Sequence, residues 1–267
     1  MEISQVLGYI LAVLVGVSLG LIGSGGSILT VPILVYIMAV EPVLATAYSL
    51  FIVGATALVG GVQSARLKKV DFKTAIIFGI PSIVAVYLTR AYLVPFLPDT
   101  FFTVQSFSLT KPIALMLLFA VVMILASISM IRPSKIQSQE NEPMQYNYPM
   151  ILLEGTLVGV LTGLVGAGGG FLIIPALVLL AKMPMKLAVG TSLFIIAAKS
   201  LLGFLGDLKG DEIIDWQLLM LFTTASIIGI FIGIALAKKI DGAKLKTGFG
   251  WFVLVMGVYI ILKELVL

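Results

Sequence analysis

A glycine-rich stretch occurs twice in this chain at a fixed spacing, and that duplication constrains the fold more than any other feature. Gly16-Val-Ser-Leu-Gly20-Leu-Ile-Gly23-Ser24-Gly25-Gly26-Ser27-Ile-Leu-Thr30-Val-Pro32 is matched 143 residues on by Gly159-Val-Leu-Thr162-Gly163-Leu-Val-Gly166-Ala167-Gly168-Gly169-Gly170-Phe-Leu-Ile-Ile-Pro175, with 9 of 17 positions identical. The same offset carries Ala45, Ser49, Leu50, Phe51 and Ile52 onto Ala188, Ser192, Leu193, Phe194 and Ile195. After a one-residue slip, Val70-Asp71-Phe72 falls on Ile214-Asp215-Trp216. The protein is one unit made twice, and each unit opens with an apolar helix, a glycine break and a second apolar helix.

The environment of that unit is a bilayer. The chain is 60% hydrophobic and 11% charged, against about 25% charged in soluble domains. Apolar segments recur along its length at 5–22, 28–40, 44–65, 72–95 and 111–131, then at 149–165, 171–181, 187–206, 216–237 and 247–265. This is the pattern of a polytopic membrane protein. A polar, proline-containing linker, 132–148, divides two transmembrane halves, 1–131 and 149–267. The chain has no His and no Cys, so imidazole acid–base chemistry, Cys/His metal sites and thiol redox are excluded. No cofactor or metal is expected, and no nucleic-acid partner either, since the basic residues behind the net charge of +4 sit in short loops between apolar spans. With no clustered carboxylates in the spans either, an enzyme is not expected.

Charge placement predicts whether each glycine break bends a helix or turns the chain back. If it turns back, each half holds five segments, and loops 66–73, 132–148, 182–186 and 238–246 share one side. That side then carries twelve Lys and Arg, and the other only Arg90, Lys111, Lys209 and Lys263. Without reversal the same residues split eight against eight. The positive-inside rule selects reversal, with basic loops cytoplasmic and both termini outside. Five segments per half make the two repeats inverted, an arrangement common in secondary transporters. The expected fold is therefore an all-α integral membrane protein of two inverted five-segment repeats, each opening with a broken hairpin. The short second arms leave open whether those hairpins span or are re-entrant.

The tips are the expected binding site. A helix broken in lipid leaves backbone N–H groups that only protein or a wet cavity tolerates. The N-terminus of each second arm aims N–H groups and a positive dipole end at its tip, which suits an anion. Candidate ligands are Ser24, Gly25, Gly26 and Ser27 at one tip, and Ala167, Gly168, Gly169 and Gly170 at the other. Gly16, Gly20, Gly159 and Gly163 read instead as close helix-packing positions. Ser49, Thr191 and Ser192 lie in the segments that follow, where their hydroxyls serve either the anion or helix–helix hydrogen bonds. Lys199 stands near the middle of segment 187–206, where a lysine costs roughly 2.5–3.5 kcal/mol; its repeat partner is Thr56. It either neutralises an anion, or snorkels, or pairs with Glu154 or a backbone carbonyl. Asp71 and Asp215 read as helix N-caps.

At these motifs the chain resembles the TauE/SafE sulfite exporter family of bacterial and archaeal inner-membrane proteins. The resemblance rests on Gly20-Leu-Ile-Gly23-Ser-Gly25-Gly26 … Pro32, on Gly163-Leu-Val-Gly166-Ala-Gly168-Gly169-Gly170 … Pro175, and on Thr191-Ser192-Leu193. In the first half that last element is Tyr48-Ser49-Leu50, a departure from the pattern. The resemblance implies export of sulfite or a small organosulfonate such as sulfoacetate across the inner membrane. Combined with the residues, it predicts an anion held between the tips near the midplane and alternating access by one repeat moving against the other. Export of each negative charge across about 100 mV, inside negative, gains roughly 2.3 kcal/mol. A transporter of another small anion, such as a carboxylate, and a non-transporting scaffold are the alternatives.

Overall fold

A computed structural model of the chain describes residues 3–23, 25–104, 107–131, 148–180, 183–208, 214–237 and 242–266. The elements follow in order as α1 (Ile3–Ile22), a 3-10 turn (Gly25–Leu29) and α2 (Thr30–Tyr36), then α3 (Pro42–Arg66) and α4 (Phe72–Leu88). A π turn (Thr89–Leu93) and a short α5 (Val94–Phe96) extend α4. Strands β1 (Thr100–Val104) and β2 (Phe107–Thr110) precede α6 (Lys111–Ile131). The second half holds α7 (Tyr148–Val165), α8 (Gly170–Leu180), α9 (Met185–Asp207), α10 (Trp216–Leu236) and α11 (Gly242–Val266). Among the described residues, seven helices are long and apolar enough to cross a membrane, while Gly26–Tyr36 and Pro149–Val165 are shorter apolar helices. Large apolar side chains such as Leu14, Ile76, Leu153, Phe231 and Val255 are exposed on the outer faces of these helices, as lipid contact requires.

One element departs from the all-α expectation. Strands β1 and β2 form an antiparallel hairpin in which Phe102 faces Leu109 and Thr103 faces Ser108. Its aromatic and β-branched residues favour the extended backbone. Lys111, at the start of α6, reaches Asp99 at 3.5 Å beside the hairpin.

Contacts set the direction of every helix around the glycine breaks. Along the α1–α10 seam, Ser226 Oγ donates to the Ala12 carbonyl, Gly229 abuts Val13 and Gly233 abuts Val17. The two helices therefore run parallel. Along α4–α7, Gly155 meets Phe78 and Pro81, Gly159 meets Ser82, and Gly163 meets Thr89, so these run parallel as well. Asp215, the N-cap of α10, donates its N–H to Tyr48 near the start of α3, which puts the starts of α1, α3 and α10 at one end. Asp71, the N-cap of α4, donates to Thr191 near the start of α9, which puts the starts of α4, α7 and α9 at the other. Because α1 and α3 begin at the same end, the first glycine break turns the chain back. The same holds for α7 and α9 at the second break. Gly8 on α1 lies against Met38 beyond α2, which confirms the returning arm.

Glycine makes the tight seams. A Cβ on Gly16 would strike the Ser226 carbonyl, and one on Gly20 would lie 2.5 Å from the Ile230 oxygen. On Gly159 it would lie 2.6 Å from the Ser82 oxygen. With Gly163, whose Cβ would lie 2.7 Å from the Thr89 side chain, these four small-residue positions bring helices into close contact, as their spacing predicts. Apolar side chains fill two cores on either side of the central α3–α9 pair. One gathers α1, α2 and α10 against α3, and the other gathers α4, α7 and α8 against α9. Each packing unit thus borrows one helix from the opposite half. A third core joins α6 and α11 to the hairpins.

Candidate functional site

Four glycines at the breaks take backbone angles that other residues rarely adopt. Gly23 and its repeat partner Gly166 have φ of +80° and +73°, and Gly168 and Gly169 have φ of +64° and +61°. These left-handed residues end the long arms and throw the chain back into the molecule. Gly166 lies against Thr46 near the start of α3, and Gly23 against Val189 near the start of α9. Each long arm thus reaches past the middle before its tip folds back. Gly168 then sits against Val53 and Ile196, at the midpoints of α3 and α9, with the Ser27 Cβ 3.3 Å from where its own Cβ would be. The two tips meet there. Ser27 Oγ, fully buried, donates to the Ala167 carbonyl at 2.5 Å.

Lys199 is brought to the same place. Its side chain is fully buried, and Nζ donates to Thr162 Oγ1 at 2.8 Å. A Cβ on Gly169 would lie 2.7 Å from that ammonium and would strike the Thr162 hydroxyl. Gly170 is the first residue of α8, an eleven-residue helix, so the ammonium stands at the positive end of a helix dipole. Among the described residues Lys199 makes no salt bridge, and its partner is Thr162 rather than Glu154. Two positive features therefore converge with no carboxylate between them. A small void of about 10 Å³, room for about one water, lies beside them, lined by Thr162, Gly169 and the apolar side chains of Val122, Leu161, Val165 and Leu172.

The remaining sequence candidates are placed less centrally. Gly25 and Gly26 begin the 3-10 turn, and a Cβ on Gly26 would strike Ser18, so the first tip is folded tightly onto its own long arm. Ser24 lies outside the described residues. Ser49 is fully buried on α3, one turn from Val53, and its Oγ has no hydrogen-bond partner among the described residues. Thr191 accepts the Asp71 N–H at 2.9 Å, and Ser192 donates to the Val189 carbonyl of its own helix at 2.8 Å. Both lie about two turns from Lys199 toward the start of α9, roughly 10–12 Å along the axis.

Two polar groups at or near the site escaped the sequence reading. Thr162 was visible in the second glycine motif, where its repeat partner is Leu19. The two copies differ in polarity at Leu19/Thr162 and in charge at Thr56/Lys199, and the replacements in the second copy touch each other. Comparing the copies for such breaks in symmetry is the signal that finds Thr162. The other missed group is an ion pair between a buried arginine and a partly exposed aspartate. Arg90, on the π turn, is 1% exposed. Its Nε donates to both Asp207 carboxylate oxygens at 2.8 and 2.9 Å, and its Nη2 lies 2.5 Å from Oδ1. Its Nη1 donates to Thr46 Oγ1 at 2.9 Å and to the Gly163 carbonyl at 3.1 Å.

Known proteins share this chain over nearly its full length. A probable membrane transporter protein of Xylella fastidiosa (strain 9a5c) is 30% identical over 257 residues, covering 94% of this chain and 92% of that protein. The probable membrane transporter protein YunE of Bacillus subtilis (strain 168) is 28% identical, covering 89% and 90%. A probable membrane transporter protein of Methanocaldococcus jannaschii is also 28% identical, covering 94% and 95%. No solved structure matches the chain. Residues 9–260 match the sulfite exporter TauE/SafE family. Matched over nearly its whole length, the chain belongs to that family of membrane transporters.

Proposed function

We propose that the protein exports a small sulfur-containing anion, sulfite or an organosulfonate such as sulfoacetate, held where the two glycine tips meet. The observation that carries this reading is Lys199: a fully buried ammonium at the N-terminus of α8 whose partner is a neutral hydroxyl. Burying a charge without a counter-ion is expensive, and an anion between Lys199, Thr162 and the N–H groups of 167–170 offsets that cost. Ser27, with Gly25 and Gly26 before it, approaches the cargo from the first tip, and Ser49 supplies a further hydroxyl. Thr191 and Ser192 hold α9 in place behind it.

The opposed directions of α1 and α7, and of α3 and α9, support a pair of inverted repeats, 1–131 and 149–267, joined by the linker 132–148. On the charge rule, the end where α4, α7 and α9 begin is cytoplasmic and both termini are outside. Access alternates from side to side around a fixed midplane site. Because α10 packs with the first core and α4 with the second, the bodies that rock are these exchanged bundles rather than the two sequence halves. Outward anion flow needs no proton relay, since the inside-negative potential drives it.

The test is flux of sulfite and sulfoacetate in proteoliposomes under an imposed potential. Saturable, potential-dependent flux that Lys199→Ala abolishes in a folded protein is the expected result. No flux of either anion above empty liposomes rejects the cargo.

A further inference from the structure

The Arg90–Asp207 pair lies outside the cargo site, yet it touches the backbone that builds it. Arg90 and Asp207 belong to opposite halves and meet at the end of the molecule where α4 and α9 finish, the arginine buried and the aspartate partly exposed. Asp207, Thr46 and the Gly163 carbonyl take the guanidinium's Nε and Nη1, while Nη2 lies against Asp207 Oδ1 with no hydrogen bond among the described residues. What the guanidinium holds is the last turn of α7. Gly163 is three residues before Gly166, the left-handed residue at which the chain turns toward Gly169 and Lys199. Gly166 in turn lies against Thr46, the other residue Arg90 grips. One side chain thus ties the end of α7 to the start of α3, across the turn.

Among the described residues, the first tip has no counterpart to this anchor. The repeat partner of Arg90 is Ile234, and Gly23 rests on the apolar side chains of Val189 and Ile174. A π turn in an otherwise α-helical span marks Arg90 further. Such turns re-aim a side chain at a cost in regular hydrogen bonding, and they recur at functional positions.

We infer that Arg90 is the positioning residue of the cargo site. With Asp207 as its support, it pins the second glycine turn so that Gly169 and the start of α8 stay in register with Lys199. The second tip is then the fixed wall of the site, and the first tip is the one that moves. This inference rests on the tips being the cargo site for its purpose, but the placement of the turn is measured without any cargo.

The chain has no cysteine, so single-cysteine reporters need no background correction. Ala167→Cys reports the second tip and Ile28→Cys the first; both native residues are 1% exposed. Each is placed in the otherwise native chain, in Arg90→Gln and in Arg90→Lys, and reacted with a membrane-impermeant maleimide in proteoliposomes. The expected result is labelling of Ala167→Cys that speeds up about tenfold or more in Arg90→Gln, with Ile28→Cys unchanged. Arg90→Lys, which keeps the charge beside Asp207 but not the fork to Thr46 and Gly163, falls between. Flux through Arg90→Lys without a reporter shows a raised KM at nearly native maximal rate. Equal acceleration at both reporters, no acceleration in a folded variant, or failure of both variants to fold makes the pair a general stabiliser and overturns the inference. Changed labelling with no sulfite or sulfoacetate flux keeps Arg90 as the anchor and rejects only the cargo.

Discussion

The Tyr48 hydroxyl accepts the backbone N–H of Asp215 at 2.5 Å, reaching from α3 in the first half to the start of α10 in the second. Its repeat partner, Thr191, makes the equivalent bond to Asp71 N–H at 2.9 Å. Each half thus ties down the first free N–H of a helix in the other, where no intrahelical acceptor exists. A tyrosine and a threonine, dissimilar in sequence, do the same job at the two ends of the molecule.

Loss of either hydroxyl leaves a helix start short of an acceptor. Tyr48→Phe and Thr191→Val should each lower stability by about 1–2 kcal/mol. Thermal unfolding in detergent checks this. The two losses should add, because the bonds are at opposite ends. On the geometry, Thr191→Val leaves the apparent affinity for anion unchanged; a raised KM would move Thr191 into the cargo shell.

Lys199→Met separates function from stability. Removing a buried cation without a counter-ion should raise stability by about 1–3 kcal/mol while abolishing anion flux. A lysine kept for structural reasons would show the opposite: a fall in melting temperature with flux retained in the surviving folded fraction.

Gly169→Ala tests the turn against the charge. At φ +61° a Cβ is strained, and here it would also strike Thr162 and crowd the Lys199 ammonium. The variant should lose about 1–2 kcal/mol and most of its flux although Lys199 is intact. Gly79 is the control: it is inside α4 with nothing within 4 Å of its Cβ position. Gly79→Ala should gain about 0.5–1 kcal/mol and leave flux alone.

Gly16→Leu should prevent stable folding, because its side chain would have to enter the space of the Ser226 backbone on α10. Overpacking of this kind costs 1–3 kcal/mol or more even where neighbours can shift. Loss of monodisperse protein on size-exclusion chromatography is the readout, and Gly248→Leu, with nothing within 4 Å of its Cβ position, should be tolerated.

Much of this was legible because the physics was local. Apolar run length located the helices to within a few residues, and Asp71 and Asp215 cap α4 and α10 as their positions predict. The glycine runs announced the breaks, since few other residues leave a helix through a left-handed turn. Lys199 announced itself by its cost in an apolar segment. Arg90 and Asp207 did not, because each sits at the end of a span, where charges are ordinary, and 117 residues separate them. Nothing in either neighbourhood records the pairing. The β-hairpin did have a local signal, in Thr100-Phe-Phe-Thr-Val104 and Phe107-Ser-Leu-Thr110, but it is small beside the surrounding apolar helices.

The parallel seam between α1 and α10 also dictates an order of assembly. Ser226 closes on Ala12 across 214 residues of chain. During synthesis α1 enters the bilayer long before α10, its permanent neighbour, is made. Until then its glycine groove faces lipid or a temporary companion. α4 waits a shorter time, since α7 follows directly after the linker. The second bundle is therefore free to mature before the first, and the site closes only when the tenth helix slots home.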